Sequence, residues 1–459
     1  MDNKRIINIF FIVIIGITLG FHFFFDLRFK TDMVLTGDYR LPPSQKPFYG
    51  IMHVPRTSWP STQKAPDEEP QVLQFWQTLN VYDPDRRPEM LGALGADFSQ
   101  VYYAAKALRH GESQYNPKNP EFRDPFGRKP NYPPFTNRIY MPLSLLPYHQ
   151  AIMVHNFLTL GIFLGLAVYV LWVANLREYI WKSLVSFMLL YFYTPLGFAH
   201  FERGQFDLWL ASSYLLLFCA VFHRHHVVLK AVAAGFLAAF KWSSAPFIGT
   251  FSLMAFLGSK WKKSWVFLLP GLVMILTVII FLPEVKEYWP SLQRYEFNAK
   301  PAGISFMYFM PRQAAKFLQI ASCTIVIGLT LLLHRGNDRR EAAFRAISFP
   351  FALTMFIQGM CYGTISFEYR IVSIFGLLPA YLIWMEQGNI QSMPVKAALT
   401  AFFAMFLIVS FRVGYFLFWY LPTLISPAMS AFYLGSSIAT LIFTCYLIIS
   451  IRTQKAHVI

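Results

Sequence analysis

A carboxylate at position 97 heads the stretch GADFSQVYYAAKALRHGESQYNP (95–117), inside the one long polar region of an otherwise apolar chain. An Asp there can serve as a general base, taking the proton of a hydroxyl within hydrogen-bond reach. It can equally start a helix, since Asp is a favoured N-cap and Gln100 three residues on completes a capping box. One oxygen can cap while the other works, so both roles stay open. Lys241, in AVAAGFLAAFKWSSAPF, sits within an apolar segment at a cost of about 2.5–3.5 kcal/mol, and so either snorkels to the interface or meets an anion such as a phosphate. GFAHFERGQFD brings His200, Glu202, Arg203 and Gln205 into six residues at a helix–helix turn. There Glu202 and Arg203 can simply screen each other, while the Gln205 amide suits sugar hydroxyls. His200 and Glu202 alone do not define a metal site. In SFEYR, Arg370 can clasp a phosphate through its planar fork or pair locally with Glu368. KEYWPSLQRYEFNAKP (286–301) reads as an outer loop offering Arg294, Tyr295 and Asn298, and Arg412 reads as a helix-end anchor.

Positioning such groups falls to a membrane scaffold. Hydrophobic residues make up 55% of the 459 and charged ones only 14%, against about 25% charged in ordinary soluble proteins. Phe alone occurs 47 times, and the four cysteines all fall in apolar runs, which argues against disulfides and cysteine metal sites. A net charge of +16 would suggest nucleic acid in a soluble chain, but long apolar runs exclude that class. Here the charge fits helix anchoring and anionic lipid or phosphate partners.

The sequence predicts an all-α polytopic membrane protein, one integral unit over 1–459. Twelve apolar runs are read as crossings: 6–25, 151–174, 183–199, 207–222, 229–240, 245–258, 264–283, 314–333, 346–363, 371–385, 396–411 and 430–450. The first is an uncleaved signal anchor with a basic start, and 229–240 with 245–258 can instead form one broken or re-entrant pair. Basic loops such as NLREYIWK, HRHHVVLK, GSKWKKSW and HRGNDRREAAFR place both termini in the cytoplasm by the positive-inside rule. That orientation puts Asp97, His200, Glu202, Arg203, Gln205, Lys241, Glu368, Arg370 and Arg412 at the outer boundary. The first outer loop, 26–138, begins as irregular Pro-rich chain. A short helix is expected at 73–80, followed by a surface-lying helix from Asp97 to Gly111 with Phe98, Val101, Tyr102, Ala105 and Leu108 on one face.

The segment 95–117, followed by NYPPFTNRIYMPLSLLP, FERGQFDLWLASSYLLL and AVAAGFLAAFKWSSAPF, resembles the bacterial polyprenyl-phosphate-mannose-dependent mannosyltransferases. These form glycosyltransferase family 87, within the C-type (GT-C) superfamily. The likeness runs from about residue 95 to 260 in order and spacing. It implies a GT-C-like bundle of about twelve transmembrane helices. It also implies a sugar, mannose by family habit, passed with inversion from a polyprenyl phosphate to a lipid-linked or cell-envelope acceptor. By the same resemblance Asp97 is the catalytic base. Lys241, Gln205, Arg370, Glu202, Arg203, His200, Arg294 and Tyr132 of the Tyr-Pro-Pro motif are substrate-binding candidates. Some 70 residues separate the first helix from Asp97, more than the family usually has, and they contain Asp32, Asp38, Asp67, Asp83 and Asp85.

A transporter or flippase for a lipid-linked or anionic solute is the rival reading, because transporters also gather basic groups at broken helices. Against it, the ionisable groups cluster at one face and no inverted repeat is visible. The chain has no P-loop, dinucleotide fingerprint, zinc signature or nucleophile elbow. No cofactor, no metal and no nucleic-acid partner is expected. The expected partners are donor, acceptor and membrane lipids.

Overall fold

The computed structural model describes residues 2–23, 97–124, 130–297, 302–361, 365–366, 368–390, 392–413 and 425–453. The expected 73–80 helix, the acids at 32–85 and Asn298 lie outside them. Within the described residues, each apolar run named above falls mainly on helix. In chain order these are α1 (Asn3–Phe21), α2 (Phe98–Arg109), α3 (Pro134–Ile139), α4 (Tyr148–Val173), α5 (Ile180–Phe192), α6 (Pro195–Arg203), α7 (Asp207–Phe222) and α8 (Val227–Ala238). Then follow α9 (Ala245–Gly258), α10 (Leu269–Ile280), α11 (Leu282–Phe297), α12 (Arg312–Leu333), α13 (Asn337–Cys361), α14 (Leu377–Gln387), α15 (Met393–Ile408) and α16 (Ile425–Thr453). Two-residue strands β1 (Ala302–Gly303) and β2 (Ile365–Ser366) pair in parallel.

Among the described residues six helices are long and apolar enough to cross a membrane, or seven if a bent pair is one span. The chain is therefore a multi-pass helical membrane protein, but twelve crossings are not established. The difference is one of length. The runs at 207–222 and 229–240 form helices too short to pass that test, and 183–199 is broken at Thr194 into α5 and α6. Pro195 opens α6, and the Thr194 hydroxyl caps it by accepting from the Gly197 N–H at 3.2 Å.

α7 is the centre of the bundle. All of its residues are buried, as expected for a helix apolar on every side. It packs against α4, α8, α14 and a 3-10 segment, Glu368–Gly376. That last contact is close enough that a Cβ on Gly376 would lie 2.1 Å from the Ala211 carbonyl oxygen, so only glycine fits. On the far side, α12, α13 and α16 are joined by polar side chains, the mode expected where lipid removes the hydrophobic drive for helix association. Gln358 donates to the Ser322 and Ser437 hydroxyls, both at 2.9 Å, and Thr354 donates to Thr440 at 2.8 Å.

Two expectations about the outer segments are corrected. α2 is enclosed rather than laid on a surface: Ser99, Gln100, Tyr103 and Ala104 are buried along with Phe98, Val101, Tyr102 and Ala105 of the apolar stripe. Tyr102 and Arg109 donate to the carbonyls of Leu146 and Ser144, and Ser99 donates to Asp124 at 2.6 Å. The expected 286–301 loop is mostly the helix α11, bent 88° from the preceding apolar helix. α11 is tied to the segments on either side of 125–129, with Arg138 on Glu284 at 2.8 Å, Ser113 on Glu287 at 2.5 Å, and the Tyr288 hydroxyl donating to the Asn131 carbonyl at 3.1 Å.

Candidate functional site

The start of α2 and the end of α6 meet at Asp97. α6 stops at Gly204, whose backbone is left-handed (φ 64°, ψ 51°), and a Cβ there would approach Phe98 Cβ to 2.7 Å. Glycine is thus required both for conformation and for contact. The Arg203 carbonyl accepts from the Asp97 N–H at 3.1 Å, and Arg203 Nε donates to Asp97 Oδ2 at 2.5 Å. Gln205 Nε2 donates to the same oxygen. The carboxylate is 6% exposed as a residue and makes no side-chain cap bond to α2, so the capping box is not formed. The reason is competition: a guanidinium and an amide hold the oxygen more strongly than a helix N–H would. Arg203, which local sequence offers to Glu202, turns its guanidinium to Asp97.

Gln205 is a pivot. Its amide nitrogen faces Asp97, while its carbonyl oxygen receives the Tyr132 hydroxyl and the Lys241 ammonium, each at 3.4 Å. Lys241 lies in the break between α8 and α9, in extended conformation (φ −151°, ψ 102°) just before the 3-10 turn Trp242–Ser244. It does not snorkel. Its ammonium donates to both oxygens of Asp207, at 3.0 and 2.8 Å, and the two side chains are 11% and 2% exposed. Asp207 opens α7, where the helix dipole favours a negative charge. His200 Nε2 is 3.9 Å from Asp207 Oδ2, and its Nδ1 bonds the Tyr191 hydroxyl at 3.0 Å.

Arg370 belongs to the Glu368–Gly376 segment packed on α7, and its charge acts on Lys241. It is partly buried, and its Nε is buried without a hydrogen-bond partner. Tyr132 is buried against Phe206 at 4.7 Å between ring centres, and its carbonyl accepts from Tyr115 at 2.9 Å. Burial pushes the Tyr115 phenol well above its ordinary value. The structure therefore brings Asp97, Arg203, Gln205, Tyr132, Lys241 and His200 into one connected cluster, with Arg370 within electrostatic reach. Arg294 falls on α11, and Glu202, Glu368 and Arg412 on helical segments, but their side chains are not among those described.

Two participants escaped the sequence reading. Asp207 was visible as an acid opening an uninterrupted apolar helix, which by itself marks a functional position in a membrane protein. His155 gave no comparable signal, being one His in the middle of α4. It ends a chain in which Trp209 Nε1 donates to the Tyr140 hydroxyl at 3.1 Å and that hydroxyl donates to His155 Nδ1 at 2.7 Å. His155 Nε2 then donates to the Gln205 carbonyl at 3.3 Å, with the ring stacked on Phe98 at 4.9 Å. This donor order is the one the partners dictate, because indole only donates and a carbonyl only accepts.

Chemically, the cluster offers a held carboxylate, an amide beside it, and two cations, one of them with an unpartnered N–H. The carboxylate, the amide and the Lys241 ammonium are buried and Arg370 is partly buried, all at the ends of short helices, where charge interactions are strong. The family model of glycosyltransferase family 87 matches residues 131–358. The match contains Tyr132, His200, Arg203, Gln205, Asp207 and Lys241, leaves Asp97 and Arg370 outside, and runs well past residue 260, where the sequence likeness was read to end. No curated protein and no solved structure matches the chain. The matched segment, with the multi-pass helical scaffold around it, makes this chain a member of glycosyltransferase family 87 and a membrane glycosyltransferase.

Proposed function

We propose that the protein transfers a hexose, mannose by family expectation, from a polyprenyl-phosphate sugar to a hydroxyl of a lipid-linked or cell-envelope glycan. The reaction is an inverting single displacement at the extracytoplasmic face of the cytoplasmic membrane. The observation supporting this reading is the convergence of Asp97, Gln205, Lys241 and Arg370 at one end of α7. The acceptor oxygen attacks the anomeric carbon and its proton passes to the Asp97 carboxylate, which Arg203 and Gln205 hold in place. The bond from the anomeric carbon to the phosphate oxygen breaks, and the electron pair leaves with the lipid phosphate. That group gains a negative charge in the step, so cations beside it lower the barrier. The Arg370 Nε–H and the Lys241 ammonium fill that role, with Asp207 orienting Lys241. Gln205 and Tyr132 contact sugar or acceptor hydroxyls.

Purified protein in nanodiscs, given short-chain polyprenyl-phosphate mannose with a labelled sugar and membrane glycolipid extracts as acceptors, tests the proposal. Wild type should transfer label and folded Asp97→Asn should not. Transfer that survives in Asp97→Asn removes the base assignment. A wild type that accepts a nucleotide sugar but not the lipid donor removes the donor assignment.

A further inference from the structure

The end of α7 remote from Asp207 carries a second charged cluster. At 16 residues the helix is about 24 Å long, so this cluster lies at the far end of α7 from the candidate site. Arg224 and Arg345 both donate to Glu341 Oε1, at 2.8 and 3.0 Å, and the Lys260 N–H donates to Oε2 at 3.1 Å. The Lys260 ammonium pairs with Asp338 at 3.0 Å. Two carboxylates thus face three cations, and Lys230 is a fourth. Lys230 is 3% exposed, and its ammonium donates to the His223 carbonyl at 2.8 Å. No carboxylate stands within ion-pair distance of it among the described residues.

Two further observations mark this as an anion-accepting notch. Arg224 Nε is buried with no hydrogen-bond partner, although the guanidinium is fixed over the Trp261 ring at 5.3 Å. Burial first, then the charges of Lys230 and Arg345, push His223 down to about 4, which registers a positive local field. The rim is apolar and outward-facing. Val228 and Leu229 on the first turn of α8 are 50% and 67% exposed, and Trp265 on the adjoining 3-10 segment is 53% exposed. A free anion would need only the cations. Cations bordered by outward apolar side chains at the end of membrane helices fit a phosphate that carries acyl chains.

We propose that this notch holds the phosphate of an anionic phospholipid from the leaflet opposite the candidate site, with its acyl chains along Val228, Leu229 and Trp265. A bound lipid raises the melting temperature by mass action. Wild type should therefore melt several degrees higher in phosphatidylcholine nanodiscs containing phosphatidylglycerol than in phosphatidylcholine alone. Lys230→Gln should lose most of that rise, and so should Arg345→Gln, which carries the test if the first variant does not fold. Lys262→Gln/Lys263→Gln, which removes exposed charge nearby, should keep it. The proposal is overturned by a wild type indifferent to the anionic lipid, or by notch variants that respond as wild type does. A rise reproduced by inorganic phosphate in phosphatidylcholine nanodiscs would show a free-anion site and overturn it too.

Discussion

Replacing Asp207 by Asn strands the Lys241 ammonium in a site where its side chain is only 11% exposed. The substitution keeps the size of the side chain, so the lost quantity is charge. In wild type the ammonium has two oxygens at 3.0 and 2.8 Å, and its remaining acceptor is Gln205 Oε1 at 3.4 Å. Removing one partner of a buried ion pair costs about 3–5 kcal/mol, whereas a hydrogen bond between membrane helices averages about 0.6 kcal/mol. A loss above about 2 kcal/mol therefore requires the charge term rather than the hydrogen bond. At about 1.36 kcal/mol per power of ten, the folded-to-unfolded ratio should fall by about two to four powers of ten. The Asp207→Asn/Lys241→Met double variant removes both charges and should be less destabilised than Asp207→Asn alone. Its cycle should show a coupling of at least about 2 kcal/mol. The assay is reversible unfolding in mixed micelles by titration with a denaturing detergent, followed by circular dichroism. Additive effects, or single variants within about 1 kcal/mol of wild type, would refute the pair as a stabilising unit.

Three further outcomes are expected. Gly204→Ala, which forces a side chain into left-handed backbone 2.7 Å from Phe98 Cβ, should cost about 1–3 kcal/mol in the same unfolding assay and lower transfer by displacing Asp97. Arg370→Gln should weaken donor binding and slow transfer, with Arg370→Lys recovering binding better than rate, because only the guanidinium presents an Nε–H there; steady-state kinetics in the lipid donor separate the two. His155→Phe keeps the stack on Phe98 but leaves the Tyr140 hydroxyl and the Gln205 carbonyl without their partner, so turnover should fall about tenfold or more while donor KM changes little; an unchanged turnover would reduce His155 to packing.

The legible part of the molecule was set by composition and periodicity. Apolar runs located the helices because lipid demands that every backbone polar group be satisfied within a segment. Asp97, Arg203, Gln205 and Lys241 stood out because polar groups are expensive in such a setting. Their pairing did not. From local sequence Arg203 has Glu202 beside it and Asp97 has its own helix to cap, yet the two meet across 106 positions. That partnership depends on the left-handed turn at Gly204, a tertiary feature with a sequence trace of one residue. The number of crossings was hard to read for a related reason. Runs such as 207–222 and 229–240 are apolar enough but form short helices, and hydropathy reports composition rather than the path of a helix. α11 was read as a loop because its polar face and Pro290 mask a helix that leaves the apolar direction by 88°.

Arg203 grips residue 97 twice, by its carbonyl on the N–H and by its guanidinium on the carboxylate. The chain is thus re-registered at that residue, whatever length precedes it. Lengthening a connection costs little, about 0.6 kcal/mol for each doubling of a flexible loop. Evolution can therefore expand or shrink the segment before Asp97, and change what it contacts, without retuning the carboxylate. The length of sequence before Asp97 is in this sense uncoupled from the placement of its carboxylate, which Arg203 sets from 106 positions away.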